Sequence, residues 1–229
     1  MHHLLYARHS ARAPFDPAWH VTPRELAHLV EAARWAPTPH NMQNFELVVV
    51  EDPAVLAELA AIRVPVSPLF IAENYRQLAS SAEELERRQT GLLAASFPPS
   101  WRTGDPAQVP AGEARMLGEL IAGAPMLIVV IFDPTTHAPA SEHDGLGMIG
   151  LGCILENMWL IAQALHLDLQ VVSSFATPEV EPEVERVLAI PPPWRIAYAL
   201  RIGHANAPVM APHIRRDAPR FVHHDHFAK

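Results

Sequence analysis

The chain has 229 residues, of which 49% are hydrophobic and 18% are charged. This length and apolar content suit one domain, or one subunit of a compact oligomer, with a sizeable core. The formal net charge of −8 argues against a general nucleic-acid-binding role, because such proteins usually carry a basic excess. The N-terminal sequence lacks the long apolar segment of a secretory signal, and we therefore expect a cytoplasmic protein.

Cysteine and lysine each occur once, which excludes several chemistries. Cys153 cannot form an intrachain disulfide or contribute to a thiolate zinc cluster within the chain. Because Lys229 is the only lysine, any internal cationic contact to an anionic ligand must come from arginine or histidine.

The first part of the chain predicts helices around one strand. A short helix is expected at residues 3–9. Thr22-Pro23-Arg24-Glu25 is a capping box with proline at the first helical position, so a helix should run from there to about residue 35. Phe45 to Val50 predicts a buried strand, and Asp52-Pro53 begins another helix.

Residues 64–112 differ in character from the rest of the chain. They contain several prolines, a polar helix predicted near 79–95, and the sequence Pro98-Pro99-Ser100-Trp101. We interpret this segment as an insertion or lid within a single domain that spans residues 1–229. A helix is expected to follow at 113–122.

The second half alternates strands with helices. Met126 to Phe132 is an unbroken apolar strand, and residues 145–165 form a long apolar helix. That helix is long enough to span a membrane, but Glu156 and Asn157 in its middle would be costly in lipid, so we favour a central buried helix and no membrane contact. A strand at 169–174, a helix beginning at Pro182 and a strand at 194–202 complete an α+β pattern without strict βαβ alternation.

Three residues near the N-terminus suggest an anion site. Arg8, Ser10 and Arg12 can place two guanidinium groups and a hydroxyl on one side of the segment, whether it is extended or helical. Such charge-assisted donors suit a phosphate monoester. The alternative is an exposed basic turn, since surface arginines are common.

The loop at residues 36–45 offers a second set of polar groups. Asn41 and Gln43 carry donor and acceptor pairs that suit the edge of a planar ring such as an isoalloxazine. The alternative is an ordinary loop, in which proline and asparagine are frequent.

Two further observations concern metal binding and nicotinamide binding. The C-terminal His223-His224-Asp225-His226 contains metal-ligand residue types, although a polar tail or an interface is the simpler interpretation. The sequence has no Gly-x-Gly-x-x-Gly motif, so a Rossmann nicotinamide site is not expected.

Taken in order, the motifs resemble the nitroreductase family. The resemblance begins with Arg8-His9-Ser10-Ala11-Arg12, the capped helix, and Ala36-Pro37 followed by Asn41-x-Gln43. It continues with Glu156-Asn157-Met158-Trp159-Leu160-Ile161-Ala162, the strand that ends at Gly203, and Arg215-Arg216-Asp217. It covers roughly residues 1–60 and 120–225.

This resemblance implies a three-layer α+β fold, with a central mixed or antiparallel sheet flanked by helices, in a homodimer with two FMN sites at the subunit interface. Carried over by position, the phosphate contacts would be Arg8, Ser10, Arg215 and Arg216, with His9 along the same segment. Arg12 would lie near the flavin pyrimidine and stabilise charge on the reduced ring. The remaining cofactor-binding residues would be Pro37, Thr38, Pro39, Asn41 and Gln43 towards the partner's FMN, and Ser173 and Ser174 near the reactive flavin nitrogen.

The sequence also departs from the family pattern. Thr38-Pro39-His40 replaces a Ser-Ser pair, Asn44-Phe45 replaces Pro-Trp, and Ser173-Ser174 replaces a glycine. FMN binding is still expected with these changes, whereas the family's substrate pocket is not expected to carry over unchanged.

The function implied is electron transfer from NADH or NADPH, through FMN, to a small electron-poor acceptor such as a nitroaromatic or quinone, by a ping-pong mechanism. The alternatives are a same-fold flavoenzyme with another reaction, such as reductive dehalogenation or flavin destruction, and a non-catalytic flavin-binding protein. A metalloenzyme built on the C-terminal histidines is a more distant alternative.

Overall fold

A computed structural model describes residues 2–97, 115–141, 144–207 and 214–227 of the chain. It divides into two compact units, one formed by Met1–Val64 with Met116–Val209, and the other by Pro65–Arg115 with Met210–Lys229.

The first unit contains most of the regular structure. Its helices are α1 (His2–Ala7), α2 (Pro23–Arg34), α3 (Pro53–Ala60), α6 (Leu117–Ile121), α7 (Gly145–Ala164) and α8 (Glu181–Leu188). Its main strands are β1 (Phe45–Val50), β6 (Met126–Phe132), β7 (Asp168–Val172) and β8 (Arg195–Gly203). The second unit contains α4 (Pro68–Leu78), α5 (Ala82–Arg88) and the short parallel strands β3 (Ala79–Ser80) and β4 (Leu92–Leu93). The remaining two-residue strands are β2 (Arg63–Val64) and β5 (Arg115–Met116).

The four main strands form one sheet in the order β1-β6-β8-β7, and every neighbouring pair is antiparallel. The expectation of a mixed or antiparallel sheet is therefore confirmed in its antiparallel form. Six of the seven residues of β6 are buried, which fits its place between two neighbouring strands.

One face of the sheet forms the main core with α2 and α7. Successive strand residues point to opposite faces, and the residues that face these helices are Met126, Ile128, Val130, Tyr198, Leu200 and Ile202. From α7 they meet Leu151, Ile154, Met158 and Ala162. The buried Tyr198 hydroxyl donates a 2.7 Å hydrogen bond to the Leu151 carbonyl, and burial raises the pKa of Tyr198.

The opposite face is covered as well, because its strand residues Leu127 and Val129 are completely buried. Among the remaining helices of this unit, α3 contacts both α6 and α8. The result is the expected three-layer α+β arrangement.

By length and composition, α7 is apolar enough to cross a membrane. In the structure its buried residues pack into the core described above, so the interpretation as a central helix agrees with the packing. Leu146, Met148 and Ile149 lie outside that core and keep 41%, 47% and 62% of their surface exposed.

Several predicted elements need correction. The helix predicted near 79–95 is only α5, because Gln89 adopts a left-handed conformation with φ of 56° and ends it. The strand predicted at 169–174 ends at Val172, where a 3-10 turn begins. The helix predicted at 113–122 is restricted to α6 among described residues, and residues 113–114 lie outside them.

The interpretation of residues 64–112 as an insertion or lid stays a prediction. Its described part, through Phe97, contains α4, α5 and the short β3–β4 pair. Pro98-Pro99-Ser100-Trp101 lies outside the described residues.

Candidate active site

The N-terminal segment places an arginine against the surface of α7. The backbone N–H of Arg8 donates to the Leu4 carbonyl at 2.8 Å, directly after α1 ends. The Arg8 guanidinium carbon lies 4.5 Å from the centre of the Trp159 indole, and its Nε lies 3.9 Å from Glu156 Oε1. Glu156 and Trp159 are three residues apart on α7 and therefore share one face of the helix. The guanidinium thus has a defined place, while 19% of the Arg8 side chain stays exposed.

The next residue, His9, ties the segment to β7. Its Nε2 lies 3.2 Å from Asp168 Oδ1, and its Nδ1 lies 2.9 Å from the Ala7 carbonyl oxygen. Each ring nitrogen therefore has an oxygen within hydrogen-bond distance. Asp168 Oδ2 in turn accepts a 2.8 Å hydrogen bond from the Ala205 backbone. The His9 side chain, which was predicted to bind the cofactor, therefore connects the N-terminal segment to Asp168 of β7.

Arg201 on β8 holds the following residues. Its Nη2 donates to the carbonyls of Ala11 at 2.8 Å and Ala13 at 3.1 Å, and its guanidinium carbon lies 4.5 Å from the centre of the Phe15 ring. The Ala11 N–H donates to the Leu169 carbonyl at 3.1 Å. Arg201 is 1% exposed, and burial lowers its pKa to about 10 because the cation loses hydration. The side chain still carries its charge at neutral pH and fixes the backbone that follows Ser10.

The predicted phosphate-binding residues keep accessible surface in this arrangement. Ala11 is completely buried, whereas Arg8 and Ser10 are half-buried and Arg12 is exposed. Buried contacts therefore fix the backbone at Ala11, while the polar side chains of Arg8, Ser10 and Arg12 remain available to an anionic ligand.

The loop after α2 contains unusual backbone conformations. His40, Asn41 and Gln43 have φ of 48°, 56° and 47°. For residues other than glycine, each such conformation costs about 1–3 kcal/mol, and such residues concentrate at functional sites. Gln43 donates its backbone N–H to Thr38 Oγ1 at 3.2 Å and its side-chain amide to Asn41 Oδ1 at 3.0 Å. These bonds connect Thr38, Asn41 and Gln43 across the loop.

The same loop packs on α7 at a glycine. A Cβ atom at Gly150 would lie 3.2 Å from Pro39 Cδ and 3.7 Å from the Pro37 carbonyl oxygen, so a larger residue would push the loop away. With Pro39 half-buried against the helix, the exposed Asn41 and Gln43 are on the solvent-accessible part of the loop.

The predicted serine pair lies in the turn that follows β7. Ser173 is exposed and Ser174 is half-buried, while Phe175 between them and the next helix is completely buried and anchors the turn. The Thr177 hydroxyl donates to the Ser174 carbonyl at 2.9 Å.

Within the second unit, the two predicted arginines of the C-terminal segment are exposed. Arg215 Nη1 donates to the Ile214 carbonyl at 2.8 Å, and the Arg216 guanidinium carbon lies 5.4 Å from the centre of the Phe221 ring.

An anchor for this segment was missed by the sequence reasoning. Gln89 Nε2 donates to Asp217 Oδ2 at 3.1 Å, and Gln89 Oε1 accepts from the Asp217 backbone at 3.0 Å. Arg220 Nη1 also donates to Gln89 Oε1, at 3.1 Å, and to the Arg87 carbonyl at 3.3 Å.

Trp159, Asp168 and Arg201 were also missed as supports of the N-terminal segment. Only Arg201 gave a signal, as a charge that follows the apolar run 196–200 within its strand. Nothing local indicates that His9 meets Asp168, because 159 positions separate them.

The C-terminal histidines do not assemble a metal centre in the part of the chain that the structure describes, where no group of three or more potential ligands comes together. The metalloenzyme alternative therefore gains no support from these residues.

Comparison with known proteins relates this geometry to one family. The sequence profile of the nitroreductase family matches residues 5–204. No curated protein matched the chain.

Solved structures agree on the fold. A nitroreductase family protein from Clostridium difficile 630 is 17% identical, with a TM-score of 0.63, and the match covers 98% of this chain and 97% of that one. A nitroreductase with bound FMN from Desulfitobacterium hafniense DCB-2 is 20% identical, with a TM-score of 0.60 and 97% of each chain covered. A nitroreductase with bound FMN from Bacteroides fragilis NCTC 9343 is 18% identical, with a TM-score of 0.60 and 93% of each chain covered.

Proposed function

Because this chain belongs to the nitroreductase family, we propose that it uses FMN to carry electrons from NADH or NADPH to a small electron-poor acceptor, such as a nitroaromatic or a quinone. Two of the structural relatives are nitroreductases with bound FMN, which supports the choice of cofactor.

The observation that carries the proposal is the N-terminal segment. Arg8, Ser10 and Arg12 lie close to the buried Ala11 in sequence, on a backbone that Arg201 holds at the Ala11 carbonyl and Asp168 holds through the His9 side chain. A fixed group of accessible donors that includes two guanidinium groups fits a cofactor with a phosphate monoester, because little conformational freedom remains to be lost on binding.

The turn after β7 fits the other end of the same cofactor. Ser173 lies four residues after Leu169, which is about 13 Å along a strand at roughly 3.3 Å per residue. An extended FMN molecule can reach from donors near Ala11, whose N–H bonds Leu169, to a ring near Ser173.

The loop at 37–43 and the exposed face of α7 support a homodimer. The strained Asn41 and Gln43 offer exposed amides, as expected for groups that reach the partner's FMN. Leu146, Met148 and Ile149 form an exposed apolar surface on the helix against which this loop packs. Burial of that surface by a second copy would stabilise the dimer.

FMN, when bound, supplies the hydride and electron chemistry, and the protein supplies binding, orientation and charge. Arg8 and Ser10 would hold the phosphate, Arg12 would place positive charge beside the ring, and the serine pair would face the reacting edge. Water can supply the protons, so the proposal requires no dedicated general acid.

The test begins with the visible spectrum of the purified protein, followed by chromatography of the cofactor released by heat. We expect a yellow protein that contains FMN, and anaerobic NADH or NADPH should bleach it. FAD, or no flavin after reconstitution, would contradict the proposal. Bound FMN that neither nicotinamide bleaches would instead favour a flavin carrier, or an enzyme fed by another reductant.

A further inference from the structure

Trp159 contacts the N-terminal segment at two successive residues. Its indole ring lies beneath the Arg8 guanidinium at 4.5 Å, and its Nε1–H donates a 2.8 Å hydrogen bond to the His9 carbonyl. Trp159 is 150 positions from His9 and belongs to α7, whose neighbouring residue Met158 is completely buried in the core. The contacts therefore connect a surface arginine to a rigid part of the molecule.

The two contacts restrict different motions. The hydrogen bond holds the peptide between His9 and Ser10, one residue after Arg8, and so restrains the backbone from which the Arg8 side chain starts. The ring fixes where the side chain ends, because a guanidinium is attracted to the face of an indole and stacks on it. Arg8 on a free surface would lose rotamer freedom on meeting an anion, whereas here most of that loss has already occurred.

We propose that Trp159 is a positioning residue that presets Arg8 for the phosphate of the cofactor, and that it thereby sets the preference for FMN over riboflavin. The inference rests on the proposed function, since it assigns Arg8 to the phosphate. Trp159 acts through Arg8 and the His9 carbonyl. The quantity that reports its effect is the ratio of the dissociation constants for riboflavin and FMN.

The test compares FMN and riboflavin binding to the apoprotein for Trp159→Phe, Trp159→Leu and Arg8→Ala. Trp159→Phe keeps a stacking ring but loses the N–H donor, so FMN binding should weaken about 2- to 10-fold, the scale of one neutral hydrogen bond. Trp159→Leu also loses the stacking, and the loss should reach about 5- to 50-fold. Riboflavin binding should change by less than about 2-fold in both, because it has no phosphate for Arg8 to hold.

A matched control is Trp19, which is 49% exposed and packs edge-on against the His204 ring at 4.3 Å. Trp19→Phe and Trp19→Leu should leave the ratio of the riboflavin and FMN dissociation constants unchanged. In an Arg8→Ala background, Trp159→Leu should cause no further selective loss, since its route to the phosphate is already removed. Thermal unfolding of each variant identifies any that fails to fold, and Trp159→Phe retains most of the packing.

The outcomes separate the inference from the proposed function. If Arg8→Ala reduces the preference for FMN but the Trp159 variants do not, the inference is overturned and the proposed function stands. Equal losses for FMN and riboflavin in the Trp159 variants would show a purely structural role and also overturn it. A wild-type protein that binds neither flavin would overturn both.

Discussion

Glu181 at the start of α8 and Arg195 at the start of β8 form a bidentate ion pair. Arg195 Nε donates to Glu181 Oε1 at 2.8 Å, and Nη2 donates to the other carboxylate oxygen. The backbone N–H of Ile196 also donates to Oε1 at 2.8 Å. The bonds from Arg195, with the contribution of Ile196, lower the pKa of the nearly buried Glu181.

This pair predicts an acid-dependent loss of stability. Glu181→Gln should lower the free energy of unfolding by about 1–3 kcal/mol at neutral pH, because a buried charged hydrogen-bond set is broken. Since the folded pKa is lowered, the contribution is present above the unfolded pKa and is lost as pH falls through the folded pKa. The difference in unfolding free energy between wild type and variant should therefore narrow as the pH falls below the ordinary titration range of a glutamate, measured by urea titrations at a series of acidic pH values. Glu183→Gln, which alters an exposed pair on the same helix, is the control, and an equal loss there would argue against a special role for Glu181.

The exposed apolar face of α7 predicts the oligomeric state. Light scattering should give about twice the 25.3 kDa chain mass, and Ile149→Asp should shift the protein to a monomer by placing a charge in the contact. Leu78→Asp, at an exposed apolar position on α4, should leave the mass unchanged. A wild-type monomer that retains flavin would refute a site shared between subunits.

Arg216 is predicted to contribute to phosphate binding. Arg216→Ala should weaken FMN binding by about 1.5–3 kcal/mol, the scale of a charged hydrogen bond, and should leave riboflavin binding nearly unchanged. Calorimetry of the apoprotein with each ligand measures both values. Similar losses for the two ligands would place Arg216 away from the phosphate.

The proposed role of Arg12, together with the proposed use of one flavin by both donor and acceptor, predicts the kinetics. If donor and acceptor use the same ring face in turn, double-reciprocal plots at several acceptor concentrations should be parallel. Arg12→Ala should slow anaerobic flavin reduction by NADH or NADPH more than it weakens FMN binding, because its proposed role is to place charge near the ring. Intersecting lines with a demonstrable ternary complex would indicate separate sites.

Gln89 predicts a local effect that does not depend on any cofactor. Gln89→Gly relieves the left-handed backbone at the end of α5 but removes the side chain that bonds Asp217 and Arg220. Amide hydrogen exchange at residues 214–222 should become faster while α5 keeps its protection. Gln77→Ala on α4 is a control for loss of a glutamine, and unchanged exchange in Gln89→Gly would show that the tail is held elsewhere.

The sequence predicted those elements whose causes are local. Met126–Phe132 is an uninterrupted apolar run and Phe45–Val50 is apolar except for Glu46, and both strands have the predicted bounds. The start of α2 was predicted because the capping box needs only four adjacent residues, and both of its hydrogen bonds are present. Local chemistry determines these features, so a short window of sequence is sufficient.

The remaining features depend on contacts between distant residues. Gln89 ends α5 early in a left-handed backbone conformation. A glycine or asparagine at this position would have predicted such a helix end, whereas a glutamine does not. The supports of Arg8 come from α7, and those of Ala11 and Ala13 come from β8, where Arg201 is 190 positions away from Ala11. The residue types around Arg8 predicted a phosphate-binding site. They do not indicate that the Arg8 side chain packs against α7.

The strand order has a consequence for biosynthesis. β6 can pair with β1 as soon as both have left the ribosome, but its other edge must wait for β8, which ends at Gly203. Until then the sequence Met-Leu-Ile-Val-Val-Ile-Phe presents an uncharged, open strand edge, which is the kind of segment that aggregates. The nascent chain should therefore depend on chaperones that shield extended apolar segments, and lower growth temperature should raise the yield of folded protein.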